Sequence, residues 1–133
     1  MNINNLSSDQ LVDSLLNKGL DAASLRGKTI ANNIANVNTK GYKREYVDFE
    51  DTLKQNMDNL QLKTTNSKHM NDGNGYGQIT LKTDNSSSMN ADGNNVDIDN
   101  EMTNLAANNL MYDALITQVN NRLSMEQYVI EGK

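Results

Sequence analysis

The chain has no cysteine, no proline and no tryptophan, and Phe49 is its single phenylalanine. Without cysteine there can be no disulfide framework and no thiolate to hold a metal. Without large aromatics, a core must come from aliphatic side chains, and these are also scarce. Apolar residues make up 36% of the 133 positions, against roughly 45–50% in ordinary soluble domains. A chain of this length suits one domain, or one domain with an insertion. Its core would be thin, so an elongated molecule that gains part of its burial from partners is expected.

Two further absences narrow the function. No apolar run approaches the ~20 residues of a membrane span. Met1-Asn2-Ile3-Asn4-Asn5-Leu6 has neither a basic n-region nor an apolar h-region, so no cleavable signal is expected. The formal net charge is -5, and Lys40, Lys43 and Arg44 are the only tight basic group. Nucleic-acid binding wants a basic face with interleaved aromatics. That face is missing, so no nucleic-acid partner is expected.

What the chain does have is a pair of heptad patterns at its two ends. Ser7-Ser8-Asp9-Gln10 fits a capping box, with Ser7 at the cap. Beyond it, Leu16, Leu20, Ala23, Gly27, Ile30, Ile34 and Val37 recur at alternating spacings of four and three. This predicts a helix over residues 8–37 with one apolar seam. Asp9 and Asp13 near its start, and Arg26 and Lys28 later, suit the helix dipole. Gly27 on the seam costs ~1 kcal/mol relative to Ala, which suggests close approach of a partner backbone.

The second pattern runs through Met102, Leu105, Asn109, Tyr112, Ile116, Val119, Leu123, Glu126 and Ile130. It predicts a helix over 98–131. Asp97, Asp99 and Glu101 gather at its start, where negative charge is favoured, and Gly132 sits where it should stop. Asn109 and Glu126 interrupt the seam, as polar residues do when they trade stability for register or partner choice. Either helix alone reads as an ordinary amphipathic helix. Two of them at opposite ends point to an antiparallel, coiled-coil-like core.

The fold class expected is therefore mainly α. Residues 1–37 and 98–133 form the helical core; 38–61 hold a turn, a short strand and a short helix; 62–97 form a polar, partly mobile β or loop insertion. Tyr46-Val47-Asp48-Phe49 fits the strand. Phe49, Leu53, Met57 and Leu60 repeat at helical spacing over 49–61. In the insertion only Tyr76 to Thr83 alternates, with Gly77, Ile79, Leu81 and Thr83 on the expected buried face. Asn85 to Ser88 and Ala91 to Asn95 read as turns or mobile loop.

Sites for chemistry are weakly supported. His69 is the only histidine and lies in a polar segment with no nucleophile or ligand set at short spacing. Asp92 to Asp99 looks at first like a calcium loop. An EF-hand starting there needs an oxygen ligand fifth, Gly sixth and Glu twelfth; Val96, Asp97 and Thr103 hold those places. Gly73-Asn74-Gly75-Tyr76-Gly77 lacks the lysine and the following helix of a phosphate loop. Glu45, Asp48, Glu50 and Asp51 could pair for glycan cleavage, although exposed carboxylates around a short helix are common. No catalytic residue, metal, cofactor or small-molecule substrate is expected.

The most distinctive stretch is Ala31 to Lys43. Four asparagines fall within residues 32–38, a poor composition for a helix interior because short amides compete for backbone hydrogen bonds. Asn33, Ala35, Asn36, Thr39, Gly41 and Tyr42 match the signature Asn-x-Ala-Asn-x-x-Thr-Pro-Gly-Tyr, and the chain resembles the rod and hook family of bacterial flagellar axial proteins there. Lys40 stands where that family has proline. Tyr46 to Glu50 is similar as well. Asp92 to Asp97, Glu101-Met102, Asn109, Tyr112 and His69 resemble a small, proximal rod member.

The resemblance implies a structural subunit of the basal-body rod. Its terminal helices would be loosely ordered alone and would pack on assembly, and it would leave the cell by the flagellar type III export route. It implies as partners copies of itself, other rod and basal-body proteins and the export apparatus. Rival readings are another small rod subunit, a coiled-coil adaptor or export chaperone, and a wall-cleaving enzyme.

Overall fold

The computed structural model describes residues 8–55, 77–87 and 91–132. Two long helices dominate it. Helix α1 spans Ser8–Ala35 and helix α2 spans Ile98–Glu131. Between them, strand β1 (Glu45–Asp48) pairs antiparallel with strand β2 (Thr80–Thr83), with Val47 opposite Leu81. A helical segment follows β1 over residues 50–55. The remainder of the helix expected over 49–61 lies outside the described residues, as do Ser7, Tyr76 and His69.

Both ends of α2 follow from local chemistry. The Asp97 side chain accepts from the backbone N–H of Asp99 at 3.0 Å and of Asn100 at 3.4 Å, supplying acceptors for helix donors that have none. Gly132 closes the helix at φ 67°, and its N–H reaches the Tyr128 carbonyl at 3.1 Å. A left-handed residue with no Cβ is the usual way to end a helix.

The helices run antiparallel, as contacts from end to end show. Arg122 meets Asp13, Leu115 lies against Gly19, Asn108 meets Ala23 and Glu101 meets Asn33. α1 also packs against β1. The apolar core is as thin as the composition requires. Among the described residues, Ala22, Ala23, Ile30, Val47, Phe49 and Val96 are its buried members.

The stripe of α2 that faces α1 differs from the expected one. Glu101, Leu105, Asn108, Leu115, Val119 and Arg122 are its buried or half-buried residues. Of the predicted seam, only Leu105 and Val119 share that face. Met102 is 54% exposed, Leu123 53% and Ile130 83%, and Tyr112 and Ile116 are also open. Each large aliphatic side chain would gain ~1.5–3 kcal/mol from full burial. Side-chain hydrophobicity alone would thus have turned the other stripe inward. Asn109 and Glu126 are exposed; Glu101, Asn108 and Arg122 are the polar residues that bond across the helix interface.

On α1 the expected seam lies toward the packed side. Ala23 and Ile30 are buried, and Leu16, Leu20, Gly27, Ile34 and Val37 are half-buried. Gly27 does not admit a neighbouring backbone within this chain. A Cβ there would find the Asn108 side-chain amide at 3.5 Å, an ordinary contact.

The alternation expected from Tyr76 to Thr83 holds only at its start. Gly77 is buried and Ile79 half-buried, but Leu81 and Thr83 are exposed. Among the described residues the sheet has two strands, too few to bury both of its faces. Gly77 itself is essential to the packing. It sits at φ 62°, and a Cβ would lie 2.6 Å from Phe49 Cε2. Gly77→Ala should therefore lower stability by about 2–4 kcal/mol, through overpacking and a strained left-handed backbone. A urea titration checks this, and an unchanged midpoint would show that the ring can move aside.

Candidate functional site

Among the described residues, the asparagine-rich end of α1 is densely hydrogen-bonded. The helix stops at Ala35, two residues before the expected end. The Asn36 N–H is shared between the carbonyls of Asn32 and Asn33, and the Val37 N–H reaches Ile34, three residues back. The Asn36 side chain donates to the Asn32 carbonyl at 2.8 Å and accepts from the Thr39 hydroxyl at 3.1 Å. These are the local competing bonds that short amides offer. Gly41 then turns the chain at φ 74°.

Asn33 is fully buried, with 0% exposure. Its Nδ2 donates to the Glu45 carbonyl at 2.7 Å and to Glu101 Oε2 at 2.9 Å. Its Oδ1 accepts from the Glu45 N–H at 3.0 Å and from the Tyr42 hydroxyl at 3.2 Å. A side-chain amide has two donor protons and two acceptor lone pairs, and all are used. Toward Glu45 the amide behaves as a neighbouring strand's peptide would, so the start of β1 is bonded directly to α1.

Glu101 is equally buried and takes Arg44 as its ionic partner, with Nε 2.6 Å from Oε1. Arg44 also lies 4.0 Å from Asp84 and 5.8 Å from the Tyr46 ring centroid. Burying an ion pair costs desolvation that its Coulomb energy only partly offsets. Such a pair therefore specifies geometry more than it adds stability. Burial pushes the Tyr42 phenol above its usual pKa, and the carboxylates of Glu45 and Glu101 add to this. Tyr42 thus keeps the proton that it donates to Asn33.

The segment from Ala91 to Asn95, expected as a turn or mobile loop, closes the node from the far end of the chain. Asp92 Oδ1 accepts from the Asn94 N–H at 3.0 Å, and the Gly41 N–H reaches the Asp92 carbonyl at 3.1 Å. Asn94, at 0% exposure, donates through Nδ2 to the carbonyls of Asn36, Val37 and Thr39, each at 2.9 Å. Its Oδ1 accepts from the Val96 N–H at 2.8 Å. Asn94 thus gives the Val37 carbonyl a donor and adds a second one to the carbonyls of Asn36 and Thr39, which also accept from the Thr39 and Tyr42 N–H groups. Asn95 accepts from the Arg44 N–H at 2.7 Å and donates to the Asp84 carbonyl at 2.9 Å. Hydrogen bonds from Ser86, and then the Arg44 charge, hold Asp84 below its usual pKa.

Of the signature residues, Asn33, Asn36, Thr39, Gly41 and Tyr42 meet in this node. Ala35 is exposed and takes no part in its bonds. Arg44, Asn94 and Glu101 were not recognised as its partners from sequence. Glu101 read as a helix-dipole acid, and no periodicity links residues so far apart in the chain. Of the suggested glycan-cleaving carboxylates, Glu50 and Asp48 hold ion pairs. Glu50 binds Arg26 through both oxygens at 2.8 and 2.6 Å, and Glu45 enters the node through its backbone. Asp48 pairs with Lys82, whose ammonium that hydrogen bond holds above its usual pKa. No group of three or more potential metal-binding side chains occurs among the described residues.

The node joins the two stretches that carry the sequence resemblance, and the comparisons agree with it. The family described as "Flagella basal body rod protein" matches residues 17–43, which cover most of α1 and the turn. The flagellar basal body rod protein FlgB of Borrelia hermsii is 40% identical over 128 residues, covering 90% of this chain and 90% of that protein. The FlgB of Bacillus subtilis is 33% identical over 117 residues, covering 88% of this chain and 91% of its own length. The chain belongs to the FlgB family of flagellar basal body rod proteins. It is a structural subunit of the basal body rod, in contact with other rod and basal-body components. FlgB of Proteus mirabilis, 34% identical over 124 residues, extends the match to a further organism. Among the described residues no helix is long and apolar enough to cross a membrane.

Proposed function

We propose that this rod subunit polymerises through the apolar stripe that α2 leaves open. The shaft so formed would be the proximal part of the axle that carries torque from motor to hook. The observation that carries this reading is the exposure of Met102, Tyr112, Ile116, Leu123 and Ile130 along one heptad face. A stripe of that period fits a helical partner by knobs-into-holes packing. Neighbouring subunits would bury it together with the open parts of Leu16, Leu20 and Ile34 on α1. Leu105 and Val119, shared by both faces of α2, would stay with α1.

Contacts between two different faces repeat without closing and build a helical filament. The polar node would act as the rigid corner from which the paired helices project. Catalysis has no part in this reading, and neither nucleic acid nor a small molecule is a partner. Delivery through the flagellar type III export apparatus belongs to it, since the subunit must reach the rod beyond the inner membrane.

Hydrogen exchange on the dilute monomer and on rods from isolated basal bodies tests the proposal. A long helix with few burial partners frays. Residues 109–131 should exchange quickly in the monomer and become protected in the rod, while 94–108 should be protected in both. Full protection of 109–131 in a verified monomer, or no change on assembly, would refute the reading.

A further inference from the structure

The face of α2 turned toward α1 is the less apolar of two candidates. Both faces share Leu105 and Val119. They differ at neighbouring positions: Glu101, Asn108, Leu115 and Arg122 on the inner face, Met102, Asn109, Ile116 and Leu123 on the outer. Successive helix residues are about 100° apart, so a rotation of about 50° about the α2 axis would exchange the faces. Burial of apolar surface favours the exchanged state.

The polar inner residues oppose that rotation. Glu101, Asn108 and Arg122 fall on one heptad position, and each is bonded across the interface. Glu101 binds Asn33 at 2.9 Å and Arg44 at 2.6 Å. Asn108, only 5% exposed, donates to the Ala23 carbonyl at 3.0 Å. Arg122 binds Asp13 at 2.6 Å. Asn108 Oδ1 is buried without a partner, a cost accepted at this position. A flipped amide would set that oxygen against the Ala23 carbonyl, so the orientation is determined by its single bond.

We propose that Glu101, Asn108 and Arg122 are positioning residues that set the rotation of α2 and hold its most apolar stripe outward. Without them the subunit would bury its own assembly stripe against α1. Stability is given up for presentation, as a polar residue at a helix interface can do when it determines register. The purpose assigned to the rotation rests on the polymerisation reading above. The rotation itself is a property of the monomer.

The native chain contains no cysteine, so disulfide trapping in a dilute monomer can read the rotation directly. A Cβ at Gly19 would lie 3.4 Å from a Leu115 methyl carbon. Gly19→Cys with Leu115→Cys should crosslink in the otherwise wild-type chain, whereas Gly19→Cys with Ile116→Cys should not. Adding Asn108→Ala and Arg122→Ala leaves the node intact but removes two anchors. The yield at 115 should then fall roughly tenfold and the yield at 116 rise to replace it. Asn108→Leu with Arg122→Leu makes the inner face apolar and should keep the crosslink at 115, which separates rotation from lost stability. Retention of the 115 crosslink in the alanine variant would overturn the proposal. So would loss of both crosslinks, because α2 would then detach rather than turn. Sedimentation of the wild-type chain tests polymerisation separately and can fail while the crosslinks behave as expected.

Discussion

Asn33→Asp, an isosteric change of one atom, should destabilise the subunit by about 3–5 kcal/mol, the cost of an uncompensated buried charge. The replaced Nδ2 donates to Glu101 Oε2 at 2.9 Å and to the Glu45 carbonyl at 2.7 Å. An aspartate oxygen would face a carboxylate and a carbonyl at hydrogen-bond distance with no proton between them. Arg44 already serves Glu101 and cannot neutralise both. A domain of this kind has only about 5–15 kcal/mol in total, so the node would open at mild denaturant. Urea unfolding followed by circular dichroism reads the loss. A shift below about 0.5 kcal/mol, the size of an ordinary surface change, would mean that the node is not the keystone described here. Asn33→Ala should be milder, since it removes the bonds without adding a charge.

Asn94→Ala should cost about 2–3 kcal/mol, because the Val37 carbonyl and the Val96 N–H are left without their partner and two further bonds are lost. The carbonyls of Asn36, Val37 and Thr39 would lose their shared partner, and the Val96 N–H its acceptor. This effect has a second, local signature. With Asn94 gone, residues 91–96 lose their main tie to the turn after α1, leaving the Gly41–Asp92 backbone bond at 3.1 Å to bridge them. Amide exchange should therefore quicken at Gly41, Arg44 and Val96 well before α1 itself opens. Uniform quickening along α1 would instead show that the cap supports the helix as a whole.

Both predictions fall on polar residues, and the composition explains why. Six apolar side chains make up the buried core among the described residues, so apolar packing defines the fold only loosely. Buried hydrogen-bonded amides and the Glu101–Arg44 ion pair supply the specificity. Their geometry tolerates little displacement, which suits a corner that must keep two long helices in fixed relation under load.

Much of this architecture was legible in the chain. Heptad spacing located both helices, because the 3.6-residue repeat is written in side-chain polarity. Asp97 and Gly132 marked the ends of α2, because cap chemistry is local. Tyr46 to Phe49 read as a strand, and β1 spans Glu45–Asp48; the asparagine block marked the end of α1. Family membership was legible in residues 33–42, a pattern that no helix interior would choose.

What the sequence could not decide lies between segments. Which stripe of α2 faces α1 depends on Arg122 finding Asp13, Asn108 finding Ala23 and Glu101 finding Asn33 and Arg44. Hydrophobic periodicity measures burial but is blind to such partners. It therefore selected the stripe that the folded subunit leaves open. Asn94 appeared as a loop residue because its acceptors lie more than fifty positions away. Periodicity and capping act within a few residues and survive in the sequence alone. Long-range polar pairing exists only once the chain has brought its ends together.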